Sequence, residues 1–282
     1  MAEEELPPSK LGTKDHWDGV YDREVRVFND VGDEGEVWFG ESSVTKMRKW
    51  AQRNIPDTDR TVRILECGSG NGTLLLSFLS SIGPKPIKKQ KFHLTGIDYC
   101  EGASILAESI AKTRIENLSE DLTEDEEDEY YSNRDRNESD EGEEDEDDED
   151  DVEIEKVIND IEGIDWRTED LLTKDLAEQW DLVLDKGTYD ALCLSQDTVQ
   201  EQDGRSRLPS QIYPERISNL VKQNGFFLIT SCNFTEEEIK SRYTKEGLGL
   251  EFHSSVPHPS FSFGGKSGTT VCTVAFKKVS PS

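Results

Sequence analysis

The sequence has little of what marks a membrane, metal or nucleic-acid protein. No apolar run approaches the roughly 20 residues of a membrane span, and the acidic start, Met1 to Glu5, does not fit a secretory or mitochondrial leader. Cysteines number only five and histidines four. Cys67, Cys100, Cys193, Cys232 and Cys272 are scattered without any C-x-x-C pair, and the histidines are equally dispersed. Neither a disulfide framework nor a metal site is expected, and the cysteines read as small core residues in a reducing compartment. Basic stripes are missing as well. Lysine and arginine total 32 against 61 acidic residues, for a net charge of -29, which argues against phosphate contacts as the main mode of binding. The expectation is a cytoplasmic monomer with no nucleic-acid and no membrane partner.

That charge is unevenly spread. Residues 120–155 hold 23 acidic and 2 basic side chains, so the other 246 residues carry only -8. The block from Ser119 to Glu155 has almost no aliphatic residues, cannot bury a core, and is expected to be a disordered insertion. It serves either as a solubilising segment or as a loose, salt-sensitive partner for the lysines of Lys85 to Lys91. Residues 1–34 read as an N-terminal extension, disordered over its first ten or so positions. Trp17 and Tyr21, four apart, share a helix face that packs on the main domain. Residues 35–282 form that domain.

Within the domain, strand and helix patterns alternate. Val62 to Gly72 reads as a buried strand entering a glycine-paved turn, followed by an apolar helix from Leu74 to Ile82. His93 to Asp98 is a second strand, and Ala103, Leu106, Ala107 and Ile110 trace the next helix. Further strands are expected at Ile164–Trp166, Trp180–Asp185, Phe226–Ser231, Leu250–Val256 and Thr270–Lys277. A helix carrying Pro214, Ile217, Leu220 and Val221 ends at Asn224-Gly225, Pro257 to Thr269 is a loop, and Ser42 or Ser43 caps a helix with Val44, Met47 and Trp50. The fold class is therefore α/β, a Rossmann-like open parallel sheet with helices on both faces.

In such a sheet, ligands bind outside the carboxyl ends of the strands. Glu66 with Gly68, Gly70 and Gly72 ends the first strand, Asp98 the second, and Asp185 the fourth; Asp170 follows the third and Asn233 the fifth. A carboxylate after the second strand can accept two hydrogen bonds from a ribose diol. The turn is acid-x-Gly-x-Gly-x-Gly, not the G-x-G-x-x-G of a pyrophosphate cradle, and it holds no Lys or Arg. Those features fit a nucleoside cofactor that carries an amino-acid moiety in place of phosphates, S-adenosyl-L-methionine. Trp38-Phe39, two large aromatics before a glycine, suit a pocket wall as well as a core anchor.

The glycine motif, Thr95-Gly-Ile-Asp98 and the fourth-strand segment resemble the seven-stranded class I methyltransferases. Five further stretches narrow this: Leu11-Gly-Thr with His16-Trp17, Gly35-Glu-Val-Trp-Phe-Gly-Glu41, Asp185-Lys-Gly-Thr-Tyr-Asp190, Gly225 to Asn233, and Phe261-Ser-Phe-Gly-Gly265. They resemble the lysine methyltransferases that act on translation elongation factor 1-alpha, although members commonly have Asp where this chain has Glu66. The resemblance implies an antiparallel last strand. It also implies that Trp38, Glu66, the three glycines, Asp98, Asp170, Leu171 and Asp185 hold S-adenosyl-L-methionine. Asp185 would face the methyl group, and Asp185 or Tyr189 would orient the acceptor amine. Phe39, Asn233, Phe261 and Phe263 would line a rim for the protein substrate. Two other readings stand beside it: a methyltransferase for another protein or a small molecule, and an acidic binding module with a vestigial cofactor site.

Overall fold

Val62–Cys67 forms β1, and five of its six residues are buried because a central parallel strand is covered on both faces. The computed structural model describes residues 5–56, 58–84, 88–132, 154–201, 204–263 and 266–280. Six more strands complete the sheet: β2 (Lys91–Asp98), β3 (Asp160–Thr168), β4 (Trp180–Lys186), β5 (Val221–Ser231), β6 (Leu250–Val256) and β7 (Cys272–Lys278). Their order is β6-β7-β5-β4-β1-β2-β3. Strand β7 runs antiparallel to both β5 and β6, and the other pairs are parallel. Successive strands step one way from β1 to β3 and the other way from β4 to β5, so a crevice opens beyond β1 and β4. The register brings the strand ends level, with Cys67 opposite both Ile97 and Asp185.

Helices α1 (Lys14–Val31), α2 (Gly40–Asn54), α3 (Thr73–Leu76), α4 (Glu101–Ser132), α5 (Thr188–Leu192), α6 (Pro209–Leu220) and α7 (Glu236–Tyr243) surround the sheet. Helix α2 buries Val44, Met47, Trp50 and Ala51 against Ile64, Leu94, Leu182 and Leu228 on one face. Ile212, Tyr213 and Ile217 of α6 and Ile239 and Tyr243 of α7 cover the other, against Leu65, Val183 and Phe227. Tyr21, Val25 and Phe28 of α1 pack beside Leu106, Ile110 and Ala111 of α4. Among the described residues no helix is long and apolar enough to cross a membrane. All five cysteines are free thiols, and Cys232 is exposed where the other four are buried.

Several boundaries differ from the sequence reading. The helix expected over Leu74–Ile82 stops at Leu76, passes through a 3-10 turn (Ser77–Leu79), and becomes a strand at Ser80–Pro84 that pairs with Ile154–Ile158. Buried Asn159 fixes this change by donating from Nδ2 to Phe78 O (2.9 Å) and accepting from Gln90 N at Oδ1 (3.1 Å). Helix α4 continues to Ser132, well into the block expected to be disordered, and residues 133–153 of that block lie outside the described residues. Residues 1–4 also lie outside them, whereas Ser9 caps a short turn at Lys10–Gly12. Helix α6 ends at Leu220, and Asn224 (φ 64°) and Gly225 form a bulge within β5. The Pro257–Thr269 loop contains a hairpin, Ser260–Phe263 with Lys266–Thr269. Helix α2 starts at Gly40, and Ser43 Oγ donates to Phe39 O (2.9 Å) instead of capping it.

Candidate active site

Beyond β1 the chain turns sharply through Gly68 and Gly70, both left-handed (φ 66° and 52°). A Cβ at Gly68 would lie 2.0 Å from Thr188 Oγ1, and one at Gly70 would lie 2.7 Å from Tyr21 Oη. Only glycine fits both the backbone and the space. The turn is tied to β2: the Gly68 and Ser69 N–H groups donate to Ile97 O at 2.7 and 3.1 Å. Asp98 completes the tie by accepting from Gly70 N (3.0 Å) and Cys100 N (2.9 Å). Burial pushes its carboxyl up to about 6, against the pull of these backbone donors.

A cleft with an empty volume of about 910 Å³ opens beside this turn. One wall is the turn from Gly68 to Asn71 with Asp98 and Tyr99, and Glu169 to Leu172 continue it past β3. Lys186, Gly187, Thr188, Ala191 and Leu192 form the opposite wall, and Trp17, Tyr21, Glu36 and Trp38 form the roof. Asp170 holds its own loop, accepting from Leu172 N (2.9 Å) and Thr173 Oγ1 (3.0 Å). Trp38 meets Trp17 edge-on at 5.0 Å. Ser69 Oγ and Glu169 Oε2 are among the buried polar atoms of cleft-lining residues that have no hydrogen-bond partner. Apolar and aromatic walls, orphaned polar atoms, strand-end carboxylates and a turn without basic residues fit a nucleoside joined to an amino acid.

The structure separates the expected site residues into two groups. Gly68, Gly70, Asp98, Asp170, Leu171 and Trp38 line the cleft. Glu66, Gly72, Asp185 and Tyr189 are missing from its described lining. Glu66, 1% exposed, accepts from Leu75 N of α3 (3.2 Å), and burial pushes its carboxyl up to about 8. Gly72 packs against Trp166, where a Cβ would stand 2.5 Å from the indole. Asp185, fully buried, accepts from Thr188 N (2.9 Å) and Tyr189 N (3.1 Å), and burial raises it to about 7. The resemblance has Asp185 facing the methyl group; here its carboxylate is bonded to the α5 turn and is not part of the cleft lining. The first N–H groups of α5 have no partner within the helix, and this carboxylate satisfies them from below. Tyr189 is also in the core, stacked on Tyr213 with ring centres 5.9 Å apart, and Arg242 donates to its hydroxyl (3.3 Å).

Of the expected rim residues, Phe39 takes a left-handed backbone (φ 61°) and lays its ring edge on Gly187, where a Cβ would meet it at 2.7 Å. Asn233 donates to Asp190 O (3.3 Å) and lines a second recess with Cys232, His258 and Thr273. Phe261 and Phe263 pair through their backbones in the hairpin, and their side chains lie outside the described residues. The sequence reading did not assign Trp17, Tyr21, Tyr99 or Lys186 to the site. Trp17 and Tyr21 were legible as a helix face, but not as one that roofs a cleft. Among the described residues no group of three or more His, Cys, Asp or Glu is placed to hold a metal ion.

No protein-family model matches the chain. Over 97% of its length it matches the solved magnesium protoporphyrin IX methyltransferase of Synechocystis with a TM-score of 0.51 at 13% identity, covering 99% of that chain. Over 93% it matches the N-methyltransferase NodS of Bradyrhizobium japonicum with a TM-score of 0.50 at 11% identity, covering 98%. Sheet order and cleft together define a class I methyltransferase. The chain is 36% identical over 281 residues to the protein-lysine N-methyltransferase efm4 of Schizosaccharomyces pombe, covering 96% of this chain and 95% of that one. It is 32% identical over 278 residues to EEF1A lysine methyltransferase 2 of Mus musculus, covering 98% and 87%. The chain belongs to this family of EEF1A lysine methyltransferases.

Proposed function

We propose that the protein methylates a lysine side chain of translation elongation factor 1-alpha with S-adenosyl-L-methionine as methyl donor, acting as a cytoplasmic monomer that needs neither nucleic acid nor membrane. The observation that carries the reading is the cleft at the switch point, open between the Asp98 turn and the Lys186–Thr188 turn, in a chain related over nearly its full length to lysine methyltransferases. The identity of the substrate rests on the names of those relatives. Outside the acidic block the charge is only -8, with no basic stripe for phosphate contacts.

When bound, S-adenosyl-L-methionine supplies a sulfonium-borne methyl group to an in-line amine nucleophile. The rest falls to the chain. Asp98 offers its free lone pairs to the ribose hydroxyls, Asp170 and Leu171 border the adenine, and Gly68 to Gly70 leave room for the methionine end. Trp17, Tyr21 and Trp38 exclude water from the roof. The acceptor lysine has an ordinary pKa of about 10.4 and must arrive neutral, and desolvation under an aromatic roof lowers that value. Phe39, against Gly187 of the cleft wall, is assigned to the entry of the protein substrate, with Asn233 in the second recess and the hairpin strand Ser260–Phe263 assigned to its rim. Asp185 and Tyr189 contribute by fixing the Gly187–Thr188 turn from beneath.

The test uses purified elongation factor 1-alpha and isotopically labelled cofactor, with peptide mapping by mass spectrometry. Label on a single lysine supports the reading. A factor that stays unlabelled while another protein in a lysate is modified would leave the methyltransferase in place and remove the substrate.

A further inference from the structure

Residues 32–39, between α1 and α2, cross the mouth of the cleft as a strap without helix or strand, and the strap supplies Glu36 and Trp38 to the roof. Its two halves are anchored to different walls. At the first half, Asn71 Nδ2 of the glycine turn donates to Glu34 O (3.0 Å), and Arg114 of α4 pairs with the Glu34 carboxylate. At the second half, Lys186 Nζ donates to Trp38 O (3.3 Å) and the Phe39 ring rests on Gly187. Lys186 stands at the end of β4 in the cleft wall, with Glu66, Asp185 and Glu41 as its acidic surroundings.

Glu36 O accepts from Asn71 Nδ2 (3.5 Å), and beyond it the rest of that half is bonded only locally. Gly40 N donates to Val37 O (2.9 Å) and Ser43 Oγ to Phe39 O (2.9 Å), bonds that close the turn without attaching it to the sheet. Phe39 is held at a positive φ that a residue with a bulky side chain rarely adopts, and such a backbone persists only where surrounding contacts enforce it. A carbonyl acceptor needs a donor, and a lysine stem is long enough to reach it from a strand end while its apolar part lines the wall.

We propose that Lys186 is a positioning residue, a latch that fixes the second half of the strap and thereby holds Trp38 over the cofactor cleft. The proposal rests on the reading of this cleft as the S-adenosyl-L-methionine site. Lys186 acts on the roof through the Trp38 main chain, so its loss frees the strap while the roof side chains stay in place.

Hydrogen exchange on the full chain, read by mass spectrometry with and without S-adenosylhomocysteine, tests this together with calorimetry. In Lys186→Met, exchange in peptides spanning 36–41 is expected to quicken about tenfold in the unloaded protein, while peptides from α4 keep their protection. The Kd for S-adenosylhomocysteine and the KM for the donor rise about tenfold, with kcat at saturation changed less than about threefold. Lys186→Arg, which keeps a cationic donor, recovers most of both effects. Where the Met variant fails to fold, Lys186→Gln carries the same expectations. Unchanged strap exchange in Lys186→Met, whether or not affinity falls, would overturn the latch, because Lys186 also stands in the cleft wall. A wild-type protein that binds no S-adenosylhomocysteine would overturn the cofactor reading instead, and strap exchange in the unloaded protein would still report on the latch.

Discussion

Two sets of carboxylates stand at the carboxyl edge of the same sheet and do opposite work. Asp98 and Asp170 line the cleft, and each also ties a loop there through backbone or hydroxyl donors. Glu66, Asp185 and Asp190 lie beneath it, spent on the first turns of α3 and α5 and on the end of β5, where Ser231 Oγ and Cys232 N donate to Asp190 at 2.6 and 2.8 Å. The difference is one of position: Glu66 and Asp185 lie within strands and Asp190 in α5, whereas Asp98 ends β2 and Asp170 follows β3. A carboxylate aimed at a helix start satisfies orphan N–H groups, whereas one aimed past the strand end remains available to a ligand.

The sharpest way to break this division is Asp185→Ala. It leaves two buried N–H groups without an acceptor, so the unfolding free energy in urea is expected to fall by about 3 kcal/mol. The folded fraction should keep most of its S-adenosylhomocysteine affinity. Wild-type stability with abolished turnover would instead put Asp185 among the reacting groups. Asp98→Ala also strands two buried N–H groups, Gly70 N and Cys100 N, so it should lose about as much stability, and unlike Asp185→Ala it should reduce calorimetric affinity about 30-fold, worth about 2 kcal/mol. If both variants lost stability alike and affinity not at all, the two sets would be one. Trp38→Ala, which removes roof area without touching a carboxylate, should raise the KM for the donor about fivefold with little change in unfolding midpoint.

How far the sequence could reach follows from the same geometry. The α/β alternation, the glycine turn and the acids at strand ends were legible because strand period and turn chemistry are local properties. Asp98 lines the cleft because a residue ending β2 stands beside the β1 turn. Asp185 does not line it, since its neighbour Lys186 ends the same strand and the pleat decides which of the two faces the cleft. The early end of α3 depends on Asn159, 81 residues from the Phe78 carbonyl it takes, and no window around Phe78 contains that information. The aromatic roof is similar: Trp17 and Tyr21 declared a helix face, and the packing of α1 on α4 decided what that face covers.

The buried set also makes a prediction about pH, and it carries the smallest expected effect. Glu66 rises from an ordinary 4.5 to about 8 because burial disfavours its charged form, and Asp185 reaches about 7 for the same reason. A carboxyl whose pKa is higher in the folded than in the unfolded chain binds more protons when folded, so its contribution is fully present below its unfolded pKa and is lost as pH rises through the folded value. The unfolding free energy of the unloaded protein should therefore decline from about pH 5 to about pH 8. Glu66→Gln keeps an oxygen for Leu75 N, removes the titration, and should flatten part of that slope. Its gain over the wild type at the upper end is limited to about 1 kcal/mol, because the variant also takes away the negative partner that offsets the buried charge of Lys186. Urea unfolding at a series of pH values reads both quantities. A slope unchanged by Glu66→Gln would mean that this carboxyl titrates in its ordinary range despite its burial, and the proton linkage would then fall to Asp185 and Asp98.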